Sequence, residues 1–303
     1  MTMMDTQDAA KPLKEFKPKY GFFVGIDSDG CAFDTMEIKH KECFIPNIIK
    51  YFDLQAVSKY ARQAAEFVNL YSKWRGINRW PALIKVFDLL AQRKEVAQRK
   101  AKVPEVGRLR EWIAGETKLG NPALVREIER TPDAVLSHAL EWSLSVNVDI
   151  AEMVKGVGPF PYMRESLEKV MPQADIIVVS QTPTEALVRE WDEHKINEFT
   201  ELIAGQEMGT KAEHIQFAAS GKYEPDHMLM IGDAPGDLEA ARHNDALFYP
   251  INPGSEEQSW KDFYEEGFDR FIKGQYAGSY QDGLIAEFEK ILPEVPPWDT
   301  NHR

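Results

Sequence analysis

Two groups of acids far apart in the sequence stand where chemistry is easiest to build. Asp27, Asp29 and Asp34 follow the apolar run FFVGI (22–26), and Asp233 and Asp237 follow HMLMIG (227–232). Between them come Ser180 and Gln181, just after DIIVV, and Lys211 in the segment GTKAE (209–213). Each signal alone has a plain reading: Ser180 as a turn or cap, Lys211 as a surface cation, Asp237 as a helix cap. Jointly they say more. Carboxylates gathered at one place repel unless a cation or protons relieve them. An all-oxygen donor set points to a hard ion, magnesium before calcium if a phosphate shares the site. A lysine, a hydroxyl and a helix N-terminus would form the anion-binding half. A calcium loop of the EF-hand kind is excluded, because counting from Asp27 the sixth residue is Ala32 where glycine is required.

For these clusters to meet, the elements before them must end on one edge. Five apolar runs read as buried strands: 22–26, 175–180, 201–205, 227–232 and 246–251. Helix-like stretches separate the later ones, the βαβ rhythm of a doubly wound, Rossmann-like parallel sheet. In such sheets ligands bind outside the carboxyl ends of the strands, where all four clusters sit. Thr182 and Glu185 fit a capping box with Pro183 at the first helical position, and Thr210 and Glu213 fit another. The second box puts Lys211 in a first helical turn, against the helix dipole, a placement that makes sense if a negative group faces it.

Residues 36–155 carry no strand signal and read as a helical cap inserted after the first strand. Pro46, Pro81, Asn121-Pro122 and Thr131-Pro132 mark its helix starts, and Gly115 and Gly156 suit helix ends. The expected organisation is a flexible leader (1–18), an α/β core (19–35 and 156–255), the cap (36–155), and a helical extension packed on the core (256–303). The stretch SKWRGINRW (72–80), with Lys73, Trp74, Arg75, Arg79 and Trp80, is a candidate to reach a ligand, although packing is the commoner use of such residues. The run QRKEVAQRKAK (92–102) reads as a solvated helix face.

Bulk properties narrow the class. A net charge of −13 over 303 residues argues against nucleic acid and membrane surfaces as partners. Only Cys31 and Cys43 occur, so a disulfide framework is excluded and a reducing cytoplasm is the expected location. GVGPFP (156–161) lacks the third glycine of a dinucleotide loop.

The ordered motifs Asp27-Ser28-Asp29-Gly30 with Asp34, Ser180, Lys211 and Gly232-Asp233-Ala234-Pro235-Gly236-Asp237 resemble the haloacid dehalogenase superfamily. The inserted helical cap is similar to the branch containing phosphoglycolate phosphatase and β-phosphoglucomutase. That resemblance implies a hydrolase in which Asp27 is the nucleophile, forming an aspartyl-phosphate, and Asp29 is the general acid/base. It implies that Ser180 and the Gln181 amide hold phosphate and that Lys211 neutralises developing charge. Magnesium would be held by Asp27, the main-chain oxygen of Asp29, and Asp233, with Asp237 orienting a water or Lys211. Asp34 matches a position that is mainly structural. A carboxylate at position 29 separates phosphatases and phosphomutases from dehalogenases. The expected activity is therefore hydrolysis of a small phosphorylated metabolite; a phosphomutase and a non-catalytic binding protein are the alternatives.

Overall fold

The computed structural model describes residues 8–299. Five strands form one parallel sheet in the order β3-β2-β1-β4-β5: β1 Phe23–Ile26, β2 Asp175–Val179, β3 Leu202–Ala204, β4 Met228–Gly232 and β5 Leu247–Pro250. Strands β1, β2 and β4 are buried along their whole length, which is why they read as unbroken apolar runs rather than alternating ones. The order reverses beside β1: the chain runs outward to β2 and β3, then crosses to β4 on the other side. This is a doubly wound α/β sheet, and its crevice lies where β1 and β4 end together.

The chain divides into two compact units. The α/β unit comprises, among the described residues, 8–34 together with Gly158–Ile291. Its core gathers Val24, Ile26, Leu229 and Ile231 from the sheet with Trp191, Trp260, Phe263, Phe268, Phe271 and Tyr276. The chain leaves and returns side by side, through the bridge Phe33↔Pro159 and a hydrogen bond from Phe160 N to the Ala32 carbonyl. The helical unit comprises Thr35–Val157 and, at the other end of the described residues, 292–299. Its core centres on Trp80, Phe87, Leu90, Leu109, Leu124 and Trp142, and no strand occurs within it among the described residues.

Two expected segments differ. Of the leader expected at 1–18, residues 1–7 lie outside the described residues, but the part from 8 onward is docked. Its short helix Lys11–Glu15 buries Leu13 completely. The Lys222 ammonium then clamps the carbonyls of Leu13, Lys14 and Phe16 at 2.9–3.3 Å. At the other end, residues 292–299 group with the helical unit and not with the core: Trp298 packs edge-on against Phe67.

Helix starts were the least accurate expectation. Thr131 ends the helix Asn121–Arg130, and Asp133 caps the next one, Ala134–Met153, by accepting from Val135 N and Leu136 N. A charged carboxylate is the better cap, and it wins over the threonine beside it. Asn121 is the first helical residue rather than the cap, which is Gly120. The helix expected from Pro81 begins at Arg79 behind the cap Asn78. Pro46 stands in the first turn of the helix Ile45–Tyr51, as expected, but that helix is no fresh start: it follows on from Thr35–Ile38 through the π-turn Lys39–Phe44, with helical backbone at both joins. The wider turn suits a proline that has no N–H to give. The run 92–102 is not wholly solvated, since Arg93 and Val96 are buried.

Candidate active site

Asp27 is the first residue past β1, and its N–H still donates to the Ile231 carbonyl of β4 at 3.0 Å. That register sets Asp27 beside Gly232 and places Asp233 at the adjoining strand end. The chain then turns into the helix Pro235–His243, whose Asp237 folds back so that Oδ2 accepts from Ala234 N at 3.0 Å. Gly232 permits this closeness: a Cβ there would lie 2.4 Å from the Cβ and Cγ of Asp237. One carboxylate oxygen from each of Asp27, Asp233 and Asp237 falls within 4.8 Å of the others, and all three residues are buried.

Lys211 enters from the helix Lys211–Ala218, started by the reciprocal Thr210–Glu213 box. Its ammonium donates to Asp27 Oδ2 at 2.7 Å and to Asp237 Oδ1 at 2.6 Å. Burial pushes the Asp27 carboxyl up to about 6; Lys211 opposes that rise and Asp237 adds to it. Burial likewise raises Asp237. Burial works against the charge of Lys211, but the Asp237 and Asp27 carboxylates outweigh it and raise its pKa. Three ionised carboxylates against one ammonium leave a formal excess of two negative charges in a buried place. An all-oxygen donor set with that charge fits a divalent hard cation.

Asp29 does not join that group. Its Oδ2 accepts from the Thr182 hydroxyl at 2.9 Å, a partner contributed by the loop after β2. Ser180 is buried at the end of β2, its N–H bonded to the Ala204 carbonyl and its Oγ accepting weakly from Thr182 N. Gln181 is exposed, its side-chain amide donating to the Gly209 carbonyl at 2.9 Å. Asp34 is exposed and stands apart from the acid cluster.

The Thr182–Glu185 capping box does not form. The helix starts at Thr184 with Pro183 as its cap residue. Thr182 is committed to Asp29, and the Glu207 carboxylate takes both the N–H and the hydroxyl of Thr184, at 3.0 and 2.8 Å. A tertiary partner has displaced the local one, so this helix end already faces an anion from its own chain. Gly205 makes the approach possible, since a Cβ there would meet Thr184 N at 2.5 Å.

Other supporting residues gave no local sequence signal. Trp191 Nε1 donates to Ser28 Oγ at 3.0 Å, and Trp260 Nε1 to the Cys31 carbonyl at 2.7 Å, so two indoles hold the loop that carries Asp27 and Asp29. His214 is fully buried one turn beyond Lys211. The Gly205 and Gly209 carbonyls lean toward its ring without a bond of full hydrogen-bonding geometry. Burial, then the Lys211 charge, lowers its pKa to about 4, so it is a neutral imidazole at ordinary pH.

Within the helical unit, the stretch 72–80 is spent on packing. Trp80 is fully buried, the Arg75 guanidinium donates to the Leu70 carbonyl, Lys73 pairs with Glu294, and Trp74 lies under Lys85. Arg79 bonds to Ser143 and Asn147 through Nη1.

No protein-family model and no curated protein matches the chain. Among solved structures it is similar to a β-phosphoglucomutase from Clostridium difficile, at 14% identity over 83% of this chain and 98% of that one, with a TM-score of 0.48. It is similar to a haloacid dehalogenase-like family hydrolase from Xanthomonas campestris, at 9% identity over 87% and 97%, TM-score 0.44. A HAD-superfamily hydrolase from Geobacter sulfurreducens gives 14% identity over 78% and 89%, TM-score 0.40. At such scores the likeness carries no functional argument, and the weight falls on the geometry of Asp27, Asp233, Asp237 and Lys211.

Proposed function

We propose that the chain is a divalent-metal-dependent hydrolase of a small phosphomonoester, working through an aspartyl-phosphate on Asp27. The observation that carries this reading is the buried triad of Asp27, Asp233 and Asp237 bridged by Lys211 at the paired ends of β1 and β4. Asp27, Asp233 and Asp237 offer oxygens to a divalent ion, magnesium by donor type, and its charge would offset that of the transferring phosphoryl group. An Asp27 oxygen attacks phosphorus, the ester oxygen departs as the alcohol, and Asp29 gives it a proton. Asp29 then takes a proton from water as that water attacks the aspartyl-phosphate, freeing phosphate and restoring Asp27. Lys211 holds Asp27 in place and opposes the charge that builds on the phosphoryl oxygens. Thr182 fixes the direction of the Asp29 carboxylate, and Ser180 and Gln181 are the candidates for phosphate oxygens. The resemblance of the motifs to the haloacid dehalogenase superfamily supports the same reading.

The test is phosphate release from a panel of phosphorylated metabolites by the full chain, with magnesium or with chelator. Release is expected only with magnesium, and Asp27→Asn should remove it while leaving the circular dichroism spectrum unchanged. Turnover by Asp27→Asn, or turnover indifferent to chelator, would sink the assignment. Interconversion of sugar phosphates without phosphate release would favour the phosphomutase instead.

A further inference from the structure

Arg79 is the first residue of the helix Arg79–Ala91. Its Nη1 donates to Ser143 Oγ and to Asn147 Oδ1, both at 2.8 Å, and at 3.4 Å to the Ser143 carbonyl. Ser143 Oγ gives its own hydrogen to Asn121 Oδ1 at 2.7 Å, which turns its lone pairs toward the guanidinium. The guanidinium carbon lies 5.1 Å above the Phe44 ring. These contacts fix the plane of the group at one end and on one face, and every one of them is neutral.

The opposite edge is unused. Nε and Nη2 make no hydrogen bond to the described residues, yet neither is sealed from solvent, and Arg79 is half-buried. Acids are not scarce in this chain, with 49 Asp and Glu against 36 Lys and Arg. Arg108, Arg110 and Arg130 of the same unit all find carboxylates. Arg93, a buried cation also pressed against rings, pairs with Glu95 under Tyr60 and Trp298. Arg79 has no such partner, and burial lowers its pKa to about 10. A guanidinium stripped of part of its water with only neutral acceptors is costly to keep. Its free side presents two parallel N–H donors, the fork that matches a carboxylate or phosphate.

We propose that the Nε–Nη2 edge of Arg79 is an oxyanion site on the helical unit, binding the carboxylate or phosphate group of a small ligand as a bidentate pair. The oxyanion is either a second anionic group of the substrate, an assignment that rests on the hydrolase reading above, or a separate anionic effector. The geometry is the same for both.

The probe is malonate, titrated into the full chain by calorimetry. Arg79→Gln should weaken binding about tenfold or more, as expected for loss of a charge-assisted bidentate pair. Asn147→Asp keeps the arginine and its free Nε–Nη2 edge but neutralises the guanidinium from the Nη1 side; it should weaken malonate to a similar degree while raising the melting temperature. The second variant keeps the test open if the first folds poorly. Absence of malonate binding to the wild-type chain, or wild-type binding by both variants, overturns the site. Kinetics then separate the sources. A rise in KM of Arg79→Gln confined to esters carrying a second anionic group assigns the oxyanion to the substrate. Equal modulation by malonate of anionic and neutral esters, lost in Arg79→Gln, assigns it to an effector. If no ester is hydrolysed, the titration still decides the site, so the two readings fail separately.

Discussion

Thr182 gives its hydroxyl to Asp29 Oδ2 at 2.9 Å, a bond that helps to aim the proposed proton shuttle. Thr182→Val keeps the shape and deletes the donor. The expected result is a fall in kcat of about tenfold with KM nearly unchanged, because positioned proton transfer contributes roughly 10²–10⁴-fold and Thr182 supplies only part of the positioning. The acidic limb of the pH–rate profile should also move, a change that loss of packing alone would not produce; an unmoved limb refutes the role. His214 makes a second residue-level prediction. Its folded pKa is lowered from 6.5 to about 4 by burial and then by Lys211. The unfolded chain therefore binds the extra proton first, so this stabilisation is complete above pH ~6.5 and is lost as the pH falls toward 4, up to about 3 kcal/mol in all. Urea unfolding of wild type and His214→Gln across pH 4–7 measures it. The variant should lose that part of the slope, and identical slopes would show that the histidine does not titrate in this window.

At the scale of elements, Gly232 couples β4 to the helix Pro235–His243. A methyl group there would collide with Asp237 at 2.4 Å, and Asp237 is fixed by Ala234 N and Lys211, so it cannot yield cheaply. Gly232→Ala should destabilise the chain by about 1–3 kcal/mol, the usual cost of overpacking. It should also displace a carboxylate from the cluster, so magnesium should protect it against heat less than it protects the wild type. Equal protection would mean that Asp237 has room to move. The strands around this junction were legible because a fully buried parallel strand needs apolar residues on both faces, and all five runs became strands within one or two residues. Helix starts were less legible because a cap is a competition. Asp133 outbid Thr131 locally, while Thr182 was drawn off to Asp29, a residue 153 positions away that no local pattern reveals. The clusters after β1 and β4 could be read because strand order forces those ends together. Glu207 and Trp191 could not, since each acts through a partner brought near only by the fold, and His214 could not because its burial is decided by tertiary packing.

At the scale of the whole molecule, the polypeptide passes between its two units at 34/35, 157/158 and again at 291/292, so the helical unit is completed by residues from the far end of the chain. The stretch EVPPWD (294–299) has no periodicity, and its target, Arg93, sits in a charged run that looks solvated, so neither partner announced the contact. Physically the contact is specific. The Trp298 ring lies 4.4 Å from the Arg93 guanidinium and 5.6 Å from the Phe67 ring, and Glu294 pairs with Lys73. The exposed ion pair contributes little, whereas burial of the indole with a desolvated cation–π contact is the larger part. Trp298→Ala should therefore cost about 1–3 kcal/mol and leave Arg93 open to water. Lys73→Ala should cost no more than about 1 kcal/mol. Hydrogen exchange locates the effect: protection should fall in Ser58–Asn69 and Arg79–Ala91 and hold in β1, β2 and β4. The two helices share a core with Phe67, whereas the strands belong to a separate one. If protection fell in the strands instead, residues 292–299 would have to be assigned to the α/β unit, and the helical unit would have to be stable without them.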